Sequence, residues 1–304
     1  MRYFLTFIIL TLLIACKEKK PNMYKTNAPV WEQLVDKDLS KWDIFMGIPH
    51  KSSHISGYET VEDVRFNHEP LGLNKDPKHV FSVIEEEGEQ VIKITGEIFA
   101  GLVTKKPYKN YHLKTQFKWG DKKWEPRLHQ KRNSGILYHS KGDHTDFWNV
   151  WMTSLEFEVQ ETDCADFITI SETSVRAKCP ATKREDGKYY FDEKASLKDF
   201  AWRKNDIFET GRCWKNNIPK DPEFAHGEWN TLELICFEDT AIHIVNGVVA
   251  MTVHEPQFLD ETNTWIPMIE GKIQLQSEAA EIYYKNIEIK TLEKMDPKYV
   301  KYIR

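Results

Sequence analysis

Leu155-Glu156-Phe157-Glu158-Val159-Gln160 alternates strictly between apolar and polar residues. Successive side chains of a β-strand point to opposite faces. Leu155, Phe157 and Val159 are therefore expected to line a core, with Glu156, Glu158 and Gln160 in a row on the other face. Two carboxylates and an amide on one strand face suit the floor of a polar site, and paired carboxylates are a common device of sugar chemistry. The competing reading is an ordinary solvated strand face, which alternation alone does not exclude.

The same rhythm recurs on both sides of this stretch. Residues 79–85, 90–95, 111–119, 135–140, 230–237, 241–245, 248–255, 271–277 and 282–291 read as strands separated by turn signals. Asn246-Gly247, set between two β-branched runs, marks a hairpin, because both residues tolerate the positive φ of a type I′ turn. Long amphipathic helices are scarce, and only a short helical piece is expected around 193–200. The pattern predicts an all-β sandwich of two antiparallel sheets with the core between them. Residues 162–225 break the rhythm and read as a long loop excursion, either one wall of a site or a surface decoration. The domain is expected over 31–294, followed by a C-terminal tail at 295–304.

The N-terminus carries a different signal. Arg2 and the apolar run that follows it read as a signal peptide over 1–15, too short to span a bilayer as a mature helix. It ends in Leu13-Ile14-Ala15-Cys16, which resembles a bacterial lipobox and implies a lipid on Cys16. Residues 16–30 then read as the lipidated cysteine and a flexible tether. The protein is expected to be exported and lipid-anchored, with Lys17 after the cysteine favouring the outer membrane. No later run approaches about 18 consecutive apolar residues, so membrane contact is expected through the lipid alone.

The formal net charge of −5 argues against nucleic acid as a partner. Ten Trp, twelve Tyr and sixteen Phe can fill a core and can also stack on the C–H face of a pyranose. Beyond Cys16, the cysteines are Cys164, Cys179, Cys213 and Cys236. In an exported chain they allow up to two disulfides, with the pairing open and Cys164–Cys179 favoured by loop proximity.

Several short motifs occur in a fixed order. They are Trp31-Glu32-Gln33-Leu34 with Asp38-Leu39-Ser40-Lys41-Trp42, then residues 111–118, then Asn133-Ser134-Gly135-Ile136 and Phe157-Glu158-Val159-Gln160. Gly227-Glu228-Trp229-Asn230, Asn246-Gly247, residues 271–276 and Lys285-Asn286-Ile287 complete the series. In this order the chain resembles the 3-keto-disaccharide hydrolase family. The opening turn, Gln116, His139 and the cysteine-bearing excursion depart from the family pattern. The resemblance implies a concanavalin A-like jelly roll with ligand on the concave sheet, and cleavage of glycosides whose sugar carries a ketone at C3. It also implies an oligosaccharide or glycoside as substrate, and an oxidoreductase that supplies the 3-keto-sugar.

A 3-keto group acidifies the C2 hydrogen, so a base can remove it and the group at C1 can leave by β-elimination, with water adding back for net hydrolysis. On this reading Glu158 is the general base or acid, Gln160 orients it or holds a hydroxyl, and His139 and Lys118 complete the catalytic set. Glu156, Asn133, Gln276, Trp148 and Trp151 are the substrate-binding candidates. A divalent metal on His139 and Glu158 is an open option, and no nucleotide cofactor is expected. Each residue has a plainer reading: His139 at the surface, Lys118 on a solvated strand, Asn133 and Gln276 in structural hydrogen bonds, and Trp148 and Trp151 in the core. Glu161, Asp163 and Asp166 read as an exposed acidic loop. A non-catalytic carbohydrate-binding lipoprotein and a glucanase-like glycoside hydrolase are the alternative functions.

Overall fold

The computed structural model describes residues 30–65, 68–171, 173–201, 210–216 and 220–303. The signal peptide, Cys16 and most of the tether lie outside the described residues. The strands are β1 (Glu32–Gln33), β2 (Trp42–Met46), β3 (Gly72–Leu73), β4 (Phe81–Glu86), β5 (Glu89–Ile94), β6 (Ala100–Thr104) and β7 (Tyr108–Lys109). They continue as β8 (Tyr111–Lys123), β9 (Asn133–Lys141), β10 (Thr153–Gln160), β11 (Phe167–Ile170), β12 (Val175–Lys183), β13 (Tyr189–Phe191) and β14 (Leu197–Ala201). The last are β15 (Arg212–Cys213), β16 (Asn230–Phe237), β17 (Thr240–Val245), β18 (Val248–Leu259), β19 (Trp265–Pro267), β20 (Glu270–Ser277) and β21 (Ala280–Thr291).

Two antiparallel sheets pack face to face as a concanavalin A-like jelly roll. One runs β13-β12-β18-β17-β16-β8-β21-β5-β4, and the other runs β15-β11-β10-β9-β20-β6-β2-β3. Leu155, Phe157 and Val159 of β10 are fully buried in the core between them, beside Leu113, Phe117, Leu232, Leu234, Ile282 and Tyr284 of the facing sheet. Burying each such side chain contributes roughly 1.5–3 kcal/mol relative to leaving it in water. Asn246 and Gly247 have φ values of 48° and 79°, as the hairpin joining β17 to β18 requires.

The second sheet is also covered on part of its other face. Leu137, Ile168 and Ile170 point there and pack against Ile48, Phe99, Phe147, Val150 and Trp151. Loops around 47–66 and 142–152 thus fold over this face and leave a walled hollow beside β10.

Four expectations are corrected. The excursion at 162–225 is not a loop laid on the sandwich: it supplies β11 and β15 to one sheet and β12, β13 and β14 to the other. Residues 193–200, read as helical, instead lead into β14, which pairs with β12 from Arg176↔Ala201 to Pro180↔Leu197. Cys164, Cys179, Cys213 and Cys236 are all free, buried thiols in the inter-sheet core, where cysteine acts as a small hydrophobe. The C-terminal segment is docked: Met295, Tyr299 and Tyr302 cover Ile235, Ile242 and Ile244 on the outer face of the first sheet.

Candidate active site

The hollow on the second sheet is a cavity of about 240 Å³ with Glu156, Glu158 and Gln160 of β10 as its floor. Strand pairing fixes their neighbours. Gly135 of β9 stands opposite Glu158, and Asn133 stands opposite Gln160. On the other side of β9, β20 contributes Gln276, and Glu278 follows two residues later on the same side. Ile168 and Ile170 of β11, Arg212 of β15, Arg127, Gln130, Phe147, Trp148 and Trp151 close the walls.

The Asn133-Ser134-Gly135-Ile136 motif acquires a physical meaning here. Ser134 points inward, where its Oγ donates to the carbonyl of Gln276 at 2.8 Å and lies 3.0 Å from the Tyr284 hydroxyl. Ile136 joins the inter-sheet core. Gly135 leaves room on the cavity side: a Cβ there would lie 2.2 Å from Glu156 Oε1 and 2.4 Å from Gln276 Oε1. Both oxygens, together with Asn133 Oδ1, are buried and have no hydrogen-bond partner. Buried acceptors without donors are uncommon, and three at one cavity call for a ligand that brings hydroxyl groups.

Burial dominates the electrostatics. Desolvation pushes the Glu156 carboxyl well above the ordinary range, and the neighbouring Glu158 pushes it further. Glu158 is raised to about 7, again by desolvation first, with the Arg212 guanidinium opposing. Glu278 is raised by burial and held back by Arg127, whose Nη1 donates to its Oε1 at 2.6 Å. Glu156 is therefore the carboxyl that keeps its proton at neutral pH, while Glu158 titrates there. The pair can serve as an acid and a base on one face.

Glu156, Glu158, Gln160, Asn133, Gln276, Trp148 and Trp151 thus meet at one cavity. Trp151 is held as a wall, its Nε1 donating to the Ala100 carbonyl at 3.2 Å. His139 and Lys118 do not join them. His139 sits at a β-bulge with φ of 54°, which turns its ring toward Tyr111 and Tyr138 in the core rather than to the surface or the cavity. Burial there lowers its pKa to about 3. Lys118 lies on β8 of the other sheet, paired with Glu86 and stacked 4.7 Å from the centroid of the Trp229 ring. The metal donor set His139 with Glu158 does not fit, because the two side chains occupy different compartments. Among the described residues no group of three or more His, Cys, Asp or Glu is arranged to hold an ion.

The acidic residues after β10 are individually paired rather than forming an exposed loop. Glu161 pairs with Arg132, Asp163 pairs with Lys131, and Asp166 is buried against Arg212. Arg127, Gln130, Arg212 and Glu278 are site residues that the strand pattern did not single out. Glu278 had a signal, the continuation of Gln274 and Gln276 at a period of two. Arg212 had none, because β15 is two residues long. A larger cavity of about 570 Å³, beside Lys141, Asp146 and Phe258, shares none of these lining groups.

Residues 30–290 match the model of the 3-keto-alpha-glucoside-1,2-lyase-like domain. No curated protein matches the chain. Among solved structures, a candidate glycosyl hydrolase of Parabacteroides distasonis ATCC 8503 is 17% identical, covers 86% of this chain and 100% of its own, and has a TM-score of 0.44. A β-glucanase of Bacillus licheniformis is 9% identical, covers 88% and 100%, and has a TM-score of 0.39. The carbohydrate binding module CBM66 of Bacillus subtilis is 8% identical, covers 69% and 92%, and has a TM-score of 0.39. With its model matched over most of its length, the chain belongs to the 3-keto-alpha-glucoside-1,2-lyase-like family.

Proposed function

We propose that this carbohydrate-active protein cleaves 3-keto-glycosides through abstraction of the C2 proton. The Glu158 carboxylate takes that proton, and the C–H electron pair passes into the enolate on the C3 oxygen. The enolate then collapses, the C1–O bond breaks, and the protonated Glu156 carboxyl gives its proton to the departing oxygen. The product is the unsaturated 3-keto-sugar, and addition of water across it gives net hydrolysis. Arg212, beside Glu158, supplies positive potential as the enolate forms, while Gln160, Asn133 and Gln276 take sugar hydroxyls.

The observation that carries this reading is the unequal protonation of two neighbouring buried carboxyls, Glu156 kept neutral and Glu158 raised to about 7. A general base poised near the working pH is the arrangement that proton abstraction favours. The test is turnover of a 3-keto-glucoside beside its unoxidised parent in deuterium oxide. Cleavage of the keto form alone, with deuterium entering C2, is the expected result. Cleavage of the unoxidised parent would instead indicate a glucanase-like hydrolase.

The three unpaired acceptor oxygens favour one further reading, a carbohydrate-binding lipoprotein without turnover. Saturable sugar binding with neither substrate cleaved would establish it. On either reading, a lipid on Cys16 places the domain at the outer membrane, near an oxidoreductase that makes 3-keto-sugars. Metabolic labelling with a radioactive fatty acid, lost in Cys16→Ser, checks that placement.

A further inference from the structure

The cavity over Glu156 and Glu158 does not end at its wall. Arg127, Gln130 and Trp148 line it on one side and on the other line a second hollow of about 440 Å³, which runs outward past Glu62, Asp63 and Arg65. The inner lobe, at about 240 Å³, falls below the roughly 300–1,000 Å³ usual for ligand sites, and the two lobes together fall within it. The inner lobe holds the carboxyls, so the sugar that reacts belongs there, and whatever leaves from C1 must lie in the direction the cleft continues.

The outer lobe has a definite chemical character. Its charges are neutralised in pairs: Arg65 Nε and Nη2 donate to the two Asp63 carboxylate oxygens at 2.8 and 2.9 Å, Glu62 pairs with Lys51 and His50, and Arg127 pairs with Glu278. No net charge is left to select an ionic ligand. Trp148 provides an aromatic surface, with the Arg65 guanidinium carbon 5.6 Å from its ring centroid. An aromatic plate ringed by paired polar groups suits a ring with C–H faces and hydroxyl edges.

We propose that this outer lobe is the subsite for the leaving group, and that it selects a neutral, polyhydroxylated ring, a second sugar, over a small alkyl group. This rests on the cleavage reading above. The experiment compares a 3-keto-disaccharide with a methyl 3-keto-glucoside in wild type, Arg65→Ala and Glu62→Trp. Both side chains are substantially exposed, at 46% and 69%, so the fold should tolerate the changes. The ratio of kcat/KM for the disaccharide over the methyl glycoside is expected to fall at least ten-fold in Glu62→Trp, through KM, because the indole fills the lobe. A smaller fall in the same direction is expected for Arg65→Ala. An unchanged ratio in Glu62→Trp overturns the subsite.

If the wild type cleaves neither compound, the cleavage reading fails by itself, and calorimetric titration still decides the subsite. Tighter binding of an unoxidised disaccharide than of its methyl glycoside, abolished in Glu62→Trp, supports it. Equal affinities overturn it.

Discussion

Asp166 holds Arg212 through one carboxylate oxygen: Oδ2 accepts from Nε at 2.8 Å and from Nη2 at 2.5 Å, while Oδ1 accepts the backbone N–H of Lys215 at 2.6 Å. Both side chains are buried, and Arg212 reaches the cavity where it opposes the upward shift of Glu158. Removing one partner of a buried pair leaves an uncompensated charge. Asp166→Ala is therefore expected to lower unfolding stability by about 3–5 kcal/mol, measured by chemical denaturation. Arg212→Met removes the positive neighbour and unmasks Asp166, and both effects raise the Glu158 pKa. Its acidic limb in the pH–rate profile should move to higher pH, an effect that loss of stability alone would not produce.

The raised carboxyls also set how activity and stability depend on pH. Glu158 acts as a base only when ionised, so kcat/KM should rise with pH through about 7. Stability runs the other way. Between the ordinary value of 4.5 and about 7, the folded chain holds a proton that the unfolded chain has released. Stability contributed by this group is present at low pH and is lost as pH rises through that window. Glu158→Gln should lower activity by about 10²–10⁴-fold. The same variant should melt higher than wild type at pH 8 and lose that advantage near pH 5. A wild-type rate in Glu158→Gln would remove the residue from the mechanism.

Gly135 is required by space rather than by its own backbone angle. A methyl group there would meet Glu156 Oε1 at 2.2 Å and Gln276 Oε1 at 2.4 Å, both under any normal contact. These are ends of side chains, so Gly135→Ala can be accommodated by turning them away. The cost to folding should stay in the range of overpacking, about 1–3 kcal/mol. The cost to function should be larger, because the acid and a hydroxyl acceptor are displaced together. Activity is expected to drop at least 100-fold while the melting curve stays cooperative.

The contrast between residues that the sequence exposed and those it hid has a physical basis. Glu156, Glu158 and Gln160 were legible because a half-buried strand writes its two faces at a period of two, and Gln276 was legible the same way. His139 was misplaced because one β-bulge inverts the facing of every residue beyond it, and nothing in Tyr138-His139-Ser140 announces the extra residue. Lys118 lies on a correctly read strand, but alternation does not say on which side of the sandwich a polar face lies. The strands of 162–225 are short and rich in charge, so they read as loop although they complete both sheets. Arg212 comes from that segment, and only the pairing of β15 with β11 brings it to Glu158.

One residue outside the cavity ties the two sheets to the catalytic strand. His243 of β17 is fully buried, stacked 4.4 Å from Phe157, with Nδ1 donating to the Ala165 carbonyl at 3.2 Å and Nε2 accepting from the Tyr138 hydroxyl at 3.0 Å. Ala165 in turn donates its N–H to the Glu158 carbonyl at 2.8 Å, and the Glu158 N–H donates to the Asp166 carbonyl at 3.0 Å. The imidazole is thereby fixed as a neutral tautomer, and burial lowers its pKa to about 3. The unfolded chain takes up a proton near 6.5 that the folded one refuses, so this group's stability is present above 6.5 and is lost as pH falls toward 3. His243→Phe keeps the stack and the volume but leaves a hydroxyl and a carbonyl unpaired, at about 1–3 kcal/mol each. The variant should be less stable than wild type at pH 8, and its stability should depend less on pH between 7 and 5. Denaturation curves at three pH values decide it, and an acid sensitivity equal to that of wild type would show that His243 is not the group being titrated.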